Sequence, residues 1–263
     1  ELFHFGGSLG NTVQGWLFKP ANFDSSKKYP VAHLIHGGPE GAWESAWSTR
    51  WNPQLWANAG FAVVLINPPG STGQGQEFTD LVRNNWGSYP YDDLMTGLDY
   101  ILSKNPWMDS KNLHANGASY GGYMINWING HTDRYRSLVC HDGVFDTLSM
   151  YYVTEEVFFA ESEYCPIKDR GCKPWQPQFT SGFEKFNPRN FVANWKTPTL
   201  VIHGGIDYRI PESEGLAAFT ALQSRGIKSR LLFFPRENHW VLNSANSLAW
   251  YDNVLGWMKE HAQ

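Results

Sequence analysis

The sequence predicts an α/β fold, a mostly parallel, doubly wound sheet with helices on both faces. Two observations carry the prediction. Short runs that are apolar throughout, rather than alternating, recur along the chain, as strands buried on both faces do. Stretches with helical signals separate them, and strands alternating with helices are the mark of crossover connections in a parallel sheet.

In chain order, residues 13–19 alternate and residues 29–36 are nearly continuous in their apolar character, so both read as strands around a polar turn. Residues 51–58 read as a helix stopped by Gly60. Residues 61–66, Phe-Ala-Val-Val-Leu-Ile, give the clearest buried-strand signal and end at Asn67-Pro68-Pro69-Gly70. Helices are expected at 76–83 and 92–103, followed by a strand around Leu113 and an apolar helix after Ser119. Strands at 136–140, 199–203 and 230–234 and helices at 212–224 and 244–259 complete the pattern. Residues 161–191 carry neither period. So long a loop is uncommon unless it is functional, so an insertion or lid near the site is expected. No repeat or linker divides the chain, and residues 1–263 read as one domain.

The formal charge of −4 disfavours nucleic acid or an anionic membrane as a partner. No apolar run approaches the ~18 residues of a membrane span. Cys165 and Cys172 bracket a short Pro/Gly-containing loop and read as a local disulfide, with two free thiols as the alternative. The disulfide implies an oxidising, extracellular setting. Cys140 follows an apolar run and reads as a small buried hydrophobe.

Gly117-Ala118-Ser119-Tyr120-Gly121 matches the Gly-x-Ser-x-Gly nucleophile elbow, in which small neighbours let a strand and the next helix approach closely. Alone the pattern is weak. In a doubly wound sheet, however, reactive groups sit beyond the carboxyl ends of strands. Ser119, the His36-Gly37-Gly38-Pro39 loop, Asp207 and His239 all fall there. The order Ser, Asp, His is that of the α/β-hydrolase fold. A serine hydroxyl needs an adjacent imidazole to take its proton, which assigns His239 as base, and the imidazole needs an orienting acid, which assigns Asp207. The backbone N–H groups of Tyr120 and Gly38 are the expected oxyanion donors. Asp142 also follows a strand but comes early for the acid, while His36 and His203 read as loop-ordering groups. Strand alternation sends His33 and His36 to opposite faces, so no metal site is expected there. No cofactor is called for.

The His36-Gly37-Gly38-Pro39, Ser119-Tyr120-Gly121-Gly122-Tyr123, Asp207-Tyr208-Arg209 and Asn238-His239-Trp240 segments together resemble the C-terminal peptidase domain of the prolyl oligopeptidase family. Its fungal dipeptidyl-peptidase V branch is nearest and acylaminoacyl-peptidases more distant. The resemblance runs through essentially the whole chain. It implies that Arg209 binds a substrate carbonyl and that Ile210, Val144, Phe145 and Leu148 line an apolar pocket. It also implies short peptides as substrates. Family members carry a β-propeller ahead of this domain, and nothing in residues 1–263 reads as one. A processed fragment, an excised domain or a single-domain relative is therefore expected, with a separate propeller as a possible partner. Glu155-Glu156 reads as a solvated helix face rather than an amine anchor. The expected activity is that of a dipeptidyl-peptidase-like serine peptidase. The alternatives are an acylaminoacyl-peptidase or carboxylesterase, or an inactive secreted fragment acting as a binding or antigenic protein.

Overall fold

The computed structural model describes residues 1–262. In chain order the elements are β1 (Leu2–Gly6), β2 (Thr12–Phe18), β3 (Tyr29–Ile35), α1 (Pro53–Asn58), β4 (Ala62–Asn67), α2 (Gln76–Asp80) and α3 (Tyr89–Lys104). They continue with β5 (Met108–Ala118), α4 (Tyr120–His131), β6 (Ser137–His141), α5 (Thr147–Val153), α6 (Val157–Glu163) and α7 (Thr180–Glu184). The chain closes with β7 (Thr199–Gly204), α8 (Glu212–Ser224), β8 (Ser229–Phe234) and α9 (Ser244–His261).

The strands form one sheet in the order β1-β2-β4-β3-β5-β6-β7-β8. Only β2 runs against its neighbours; from β4 to β8 every pairing is parallel. Side-chain alternation explains why the inner strands are apolar throughout. Val31 and Ile35 of β3 and Val64 and Ile66 of β4 pack into one core with α3 and α4. Ala32, Leu34, Val63 and Leu65 of the same strands face a second core built on Trp56 of α1 and Trp250, Val254 and Trp257 of α9. Fully burying one such side chain stabilises the fold by roughly 1.5–3 kcal/mol. Helix starts follow local chemistry: Asn52 accepts from Gln54 N at α1, and Asn243 from Ala245 N at α9.

Two features depart from the sequence reading. β1 adds an antiparallel edge strand whose side chains are mostly exposed, so it lacks the apolar signature of the rest. The aperiodic stretch 161–191 is not a bare loop. The end of α6, α7 and two 3-10 turns, Ile167–Asp169 and Pro188–Asn194, occupy it. A Cys165–Cys172 bond joins its start, and Cys140 is free and buried.

Candidate active site

β5 runs straight into α4 with Ser119 at the turn between them, at φ 59° and ψ −121°. A serine at positive φ is strained by roughly 1–3 kcal/mol and persists only where its surroundings overdetermine it. Here they do. Ser119 N–H donates to His141 O at 3.0 Å, and its carbonyl accepts from Tyr123 N at 2.8 Å. A side chain on Gly117 would lie 2.3 Å from Gly121 O, and one on Gly121 would lie 2.2 Å from Ile35 O. The glycines of the elbow are therefore fixed by backbone contact, the close approach that the motif requires. Tyr120 is the first residue of α4, so its N–H has no intrahelical acceptor.

β3 ends in the His36–Gly38 loop, which passes directly over the elbow: a Cβ on Gly37 would meet Ser119 Cβ at 3.2 Å. Burial lowers the His36 pKa, keeping the ring neutral. Nδ1 lies 2.7 Å from Gly37 O, so the proton sits there, and Nε2 accepts from Ser71 Oγ at 2.9 Å. His33 instead meets Tyr135 at 3.0 Å, so the two histidines of the His-x-x-His pattern serve separate environments.

Beyond β7, Asp207 Oδ1 accepts from Arg209 N and Ile210 N, both at 3.0 Å. Its Oδ2 accepts a hydrogen bond from His239 Nδ1–H at 2.6 Å, which leaves Nε2 as the ring nitrogen open to a reacting hydroxyl. His203 lies beneath this loop and reaches Ile210 O at 2.8 Å. Asp142, at the end of β6, is fully buried with its Oδ2 3.7 Å from His239 Nδ1. Burial is the chief reason its carboxyl rises to about 7. Among the described residues, Asp142, Asp207 and His239 are the one group whose potential metal-ligating atoms converge, within 4.8 Å of one another. The 2.6 Å bond commits His239 Nδ1 to a carboxylate, and we read the group as an acid–imidazole cluster.

Ser119, His239, Gly38, Arg209, Ile210 and Val144 all line one cavity of about 530 Å³. Aromatic walls come from Trp43, Trp51, Trp86, Phe158, Phe159 and Trp240. Two residues assigned to the pocket from sequence do not reach it. Phe145 turns to the far side of the chain and packs with Trp195, Val201, Ala218 and Leu222. Leu148, on α5, packs against the main core, and Met150 of the same helix lines the cavity in its place.

Glu156 is the larger correction. Rather than lying on a solvated face, it lines the cavity and pairs with Arg209 at 2.8 Å. Its neighbours fasten the same contact: Glu155 N donates to Tyr208 O at 2.8 Å, and Thr154 Oγ1 to Arg209 O at 2.7 Å. The Arg209 guanidinium also lies 5.0 Å from the Trp240 ring. The cavity-facing wall is thus α5–α6, while the aperiodic 161–191 stretch braces it from behind. Trp86 Nε1 donates to the buried Glu163 at 3.0 Å, and the Glu40 carboxyl of the glycine loop lies against that same carboxyl. Burial and then Glu40 hold the Glu163 pKa well above the carboxylate range.

Residues 47–263 match the sequence profile of the Prolyl oligopeptidase family. Dipeptidyl-peptidase 5 of Schizosaccharomyces pombe is 52% identical over 265 residues, spanning 100% of this chain and 38% of that protein. Dipeptidyl-peptidase 5 of Aspergillus fumigatus is 44% identical, across 99% of this chain and 35% of that one. The chain therefore spans little more than a third of these relatives. Among solved structures, acylaminoacyl peptidase from Pyrococcus horikoshii superposes with a TM-score of 0.89 at 25% identity, covering 99% of this chain and 41% of that one.

Proposed function

The chain belongs to the prolyl oligopeptidase family, and from that premise we propose that it is a serine peptidase of the dipeptidyl-peptidase kind, cutting short peptides through an acyl-enzyme on Ser119. The observation that carries this reading is the serine at the tip of the elbow in the same cavity as a histidine bonded at 2.6 Å to a buried aspartate.

The chemistry follows from the groups. Ser119 Oγ attacks the scissile carbonyl as His239 Nε2 takes its proton, and Asp207 holds the ring and stabilises the imidazolium. The oxyanion is met by the N–H groups of Tyr120 and Gly38; losing one such donor costs on the order of 100-fold or more in rate. Collapse passes the proton to the leaving amine and leaves an ester on Ser119. Water, deprotonated by the same histidine, then releases the acid.

Arg209 and Glu156 give the cavity a basic and an acidic group side by side. In this reading a peptide's α-amino group takes the Glu156 carboxylate and its first carbonyl takes the Arg209 fork, so that one ion pair is exchanged for two substrate contacts. Val144, Ile210, Met150 and Phe159 receive the side chain before the cut. The curated relatives are much longer, and a further domain in the whole protein would narrow access to this open cavity. The Cys165–Cys172 bond supports an oxidising, extracellular setting.

Treatment with a fluorophosphonate is expected to add one adduct mass at Ser119 and none in Ser119→Ala. An unmodified wild-type mass would overturn the hydrolase reading. A dipeptide anilide is expected to outrun an acetylated amino-acid anilide and a short-chain ester; the reverse order would move the assignment to an acylaminoacyl-peptidase or an esterase.

A further inference from the structure

We propose that Asp142 is a positioning residue for the reaction, a second carboxyl behind His239 that shares the hold on its Nδ1–H with Asp207. The inference rests on the reading of Ser119 and His239 given above.

The backbone places Asp142 deliberately. It sits at φ 46°, in the left-handed region, with its N–H donated to Ile202 O at 3.0 Å. Oδ1 accepts from Gly204 N at 3.3 Å, tying β6 to the loop that carries Asp207. An asparagine could make that bond as well, so it does not account for an acid. The second oxygen is the informative one. Asp142 Oδ2 is buried and has no aligned hydrogen bond, although it stands 2.9 Å from His141 Nε2 and 3.7 Å from His239 Nδ1. A buried carboxylate oxygen without a donor is costly, and this one lies 3.7 Å from the nitrogen that Asp207 grips at 2.6 Å. A shift of about 1 Å, within ordinary side-chain adjustment, would bring it into hydrogen-bonding range.

The groups facing Asp142 fit this role. His141 of β6 is held neutral, its pKa lowered to about 3 chiefly by burial. His203 Nδ1 of β7 lies 3.8 Å from Oδ1. The Cys140 thiol of β6 and the Arg50 guanidinium, ahead of α1, also sense its charge, and Asp207 opposes its ionisation. With its carboxyl raised to about 7, Asp142 gains and loses its proton in the range in which a histidine does. Its anion stands 3.7 Å from the ring that becomes charged when His239 takes the Ser119 proton.

Two measurements test this. In Asp142→Asn the stabilising anion is gone, so the acid limb of kcat/KM is expected to move to lower pH by about 0.5 unit or more and to keep a one-proton slope. In Asp207→Ala, Asp142 is expected to retain part of the function, leaving a loss smaller than the ~10⁴-fold typical of a missing triad acid. Adding Asp142→Asn to Asp207→Ala should then cost about tenfold more. An unmoved acid limb, or a double variant no slower than Asp207→Ala, would overturn the proposal. Asp142→Ser, which keeps an acceptor for Gly204 N, serves if the asparagine variant does not fold. Fluorophosphonate labelling of the wild type separates the two failures. A labelled enzyme with an unmoved limb refutes the role of Asp142 alone, whereas an unlabelled one refutes the hydrolase reading and this role together.

Discussion

The two walls of the cavity are built on different principles. On one side, Ser119, Asp207 and the His36–Gly38 loop lie beyond the ends of parallel strands and are set by backbone contacts, and His239 is held by its bond to Asp207. On the other, α5 and α6 are seven-residue helices, with Phe158 71% exposed and Trp175, in the stretch behind them, 62% exposed. Helices this short do not hold themselves together in water. They depend on Asp146 capping α5, on the Cys165–Cys172 bond behind α6 and on the contacts to Tyr208 and Arg209. The first wall is positioned by the sheet, while the second is held by a few separable ties.

If that division is right, changes to the two walls should have different signatures. The largest effect is expected in the elbow. Gly121→Ala puts a Cβ 2.2 Å from Ile35 O, which cannot yield without moving β3. Overpacking of this kind typically costs about 1–3 kcal/mol, and fluorophosphonate labelling of Ser119 should be lost with it; labelling at wild-type rate would show that the elbow tolerates a side chain. Replacing both Cys165 and Cys172 by serine should lower stability by about 2–3 kcal/mol, given the short loop closed. Thermal unfolding checks this, and below the transition Ser119 should still label.

Glu156→Gln tests selection alone. KM for a dipeptide anilide with a free amine should rise about tenfold, equivalent to ~1.4 kcal/mol, as for one charge-assisted contact. KM for an acetylated substrate should hardly change, and equal rises for both would show that Glu156 only braces Arg209. The smallest effect concerns pH. Glu163 binds its proton more tightly folded than unfolded, because burial and Glu40 raise its pKa above 4.5. The folded state then holds more protons, so this group's contribution to stability falls as pH rises from about 4.5 towards the raised value. Glu163→Gln should flatten that fall, and denaturant midpoints measured across the range would show it.

The same contrast explains what could be read from the sequence. Strands buried on both faces need continuous apolar runs, and the elbow needs its glycines, so residues 61–66 and Gly117-x-Ser119-x-Gly121 announced themselves. The bounds of α8, Glu212–Ser224, coincide with the expectation because its start and stop lie in local chemistry. β1 was missed because an edge strand with one buried side chain carries little pattern. The helices of the second wall are too short for a 3.6-residue period to emerge. Val144 and Phe145 are adjacent beyond the end of β6, where alternation no longer tells which of them faces the cavity. Glu156 looked solvated because its partner, Arg209, lies on another element far along the chain.

The ties between Thr154–Glu156 and Tyr208–Arg209 have a consequence for redesign. Asp207 takes the amides of Arg209 and Ile210 on its Oδ1, and Arg209 in turn carries the second wall. Asp207 and the mouth of the cavity are therefore one mechanical part. Transplanting residues 144–194 from a relative to alter substrate choice would carry over the shape of a new mouth without its anchor. The transferable unit is that segment together with residues 204–210.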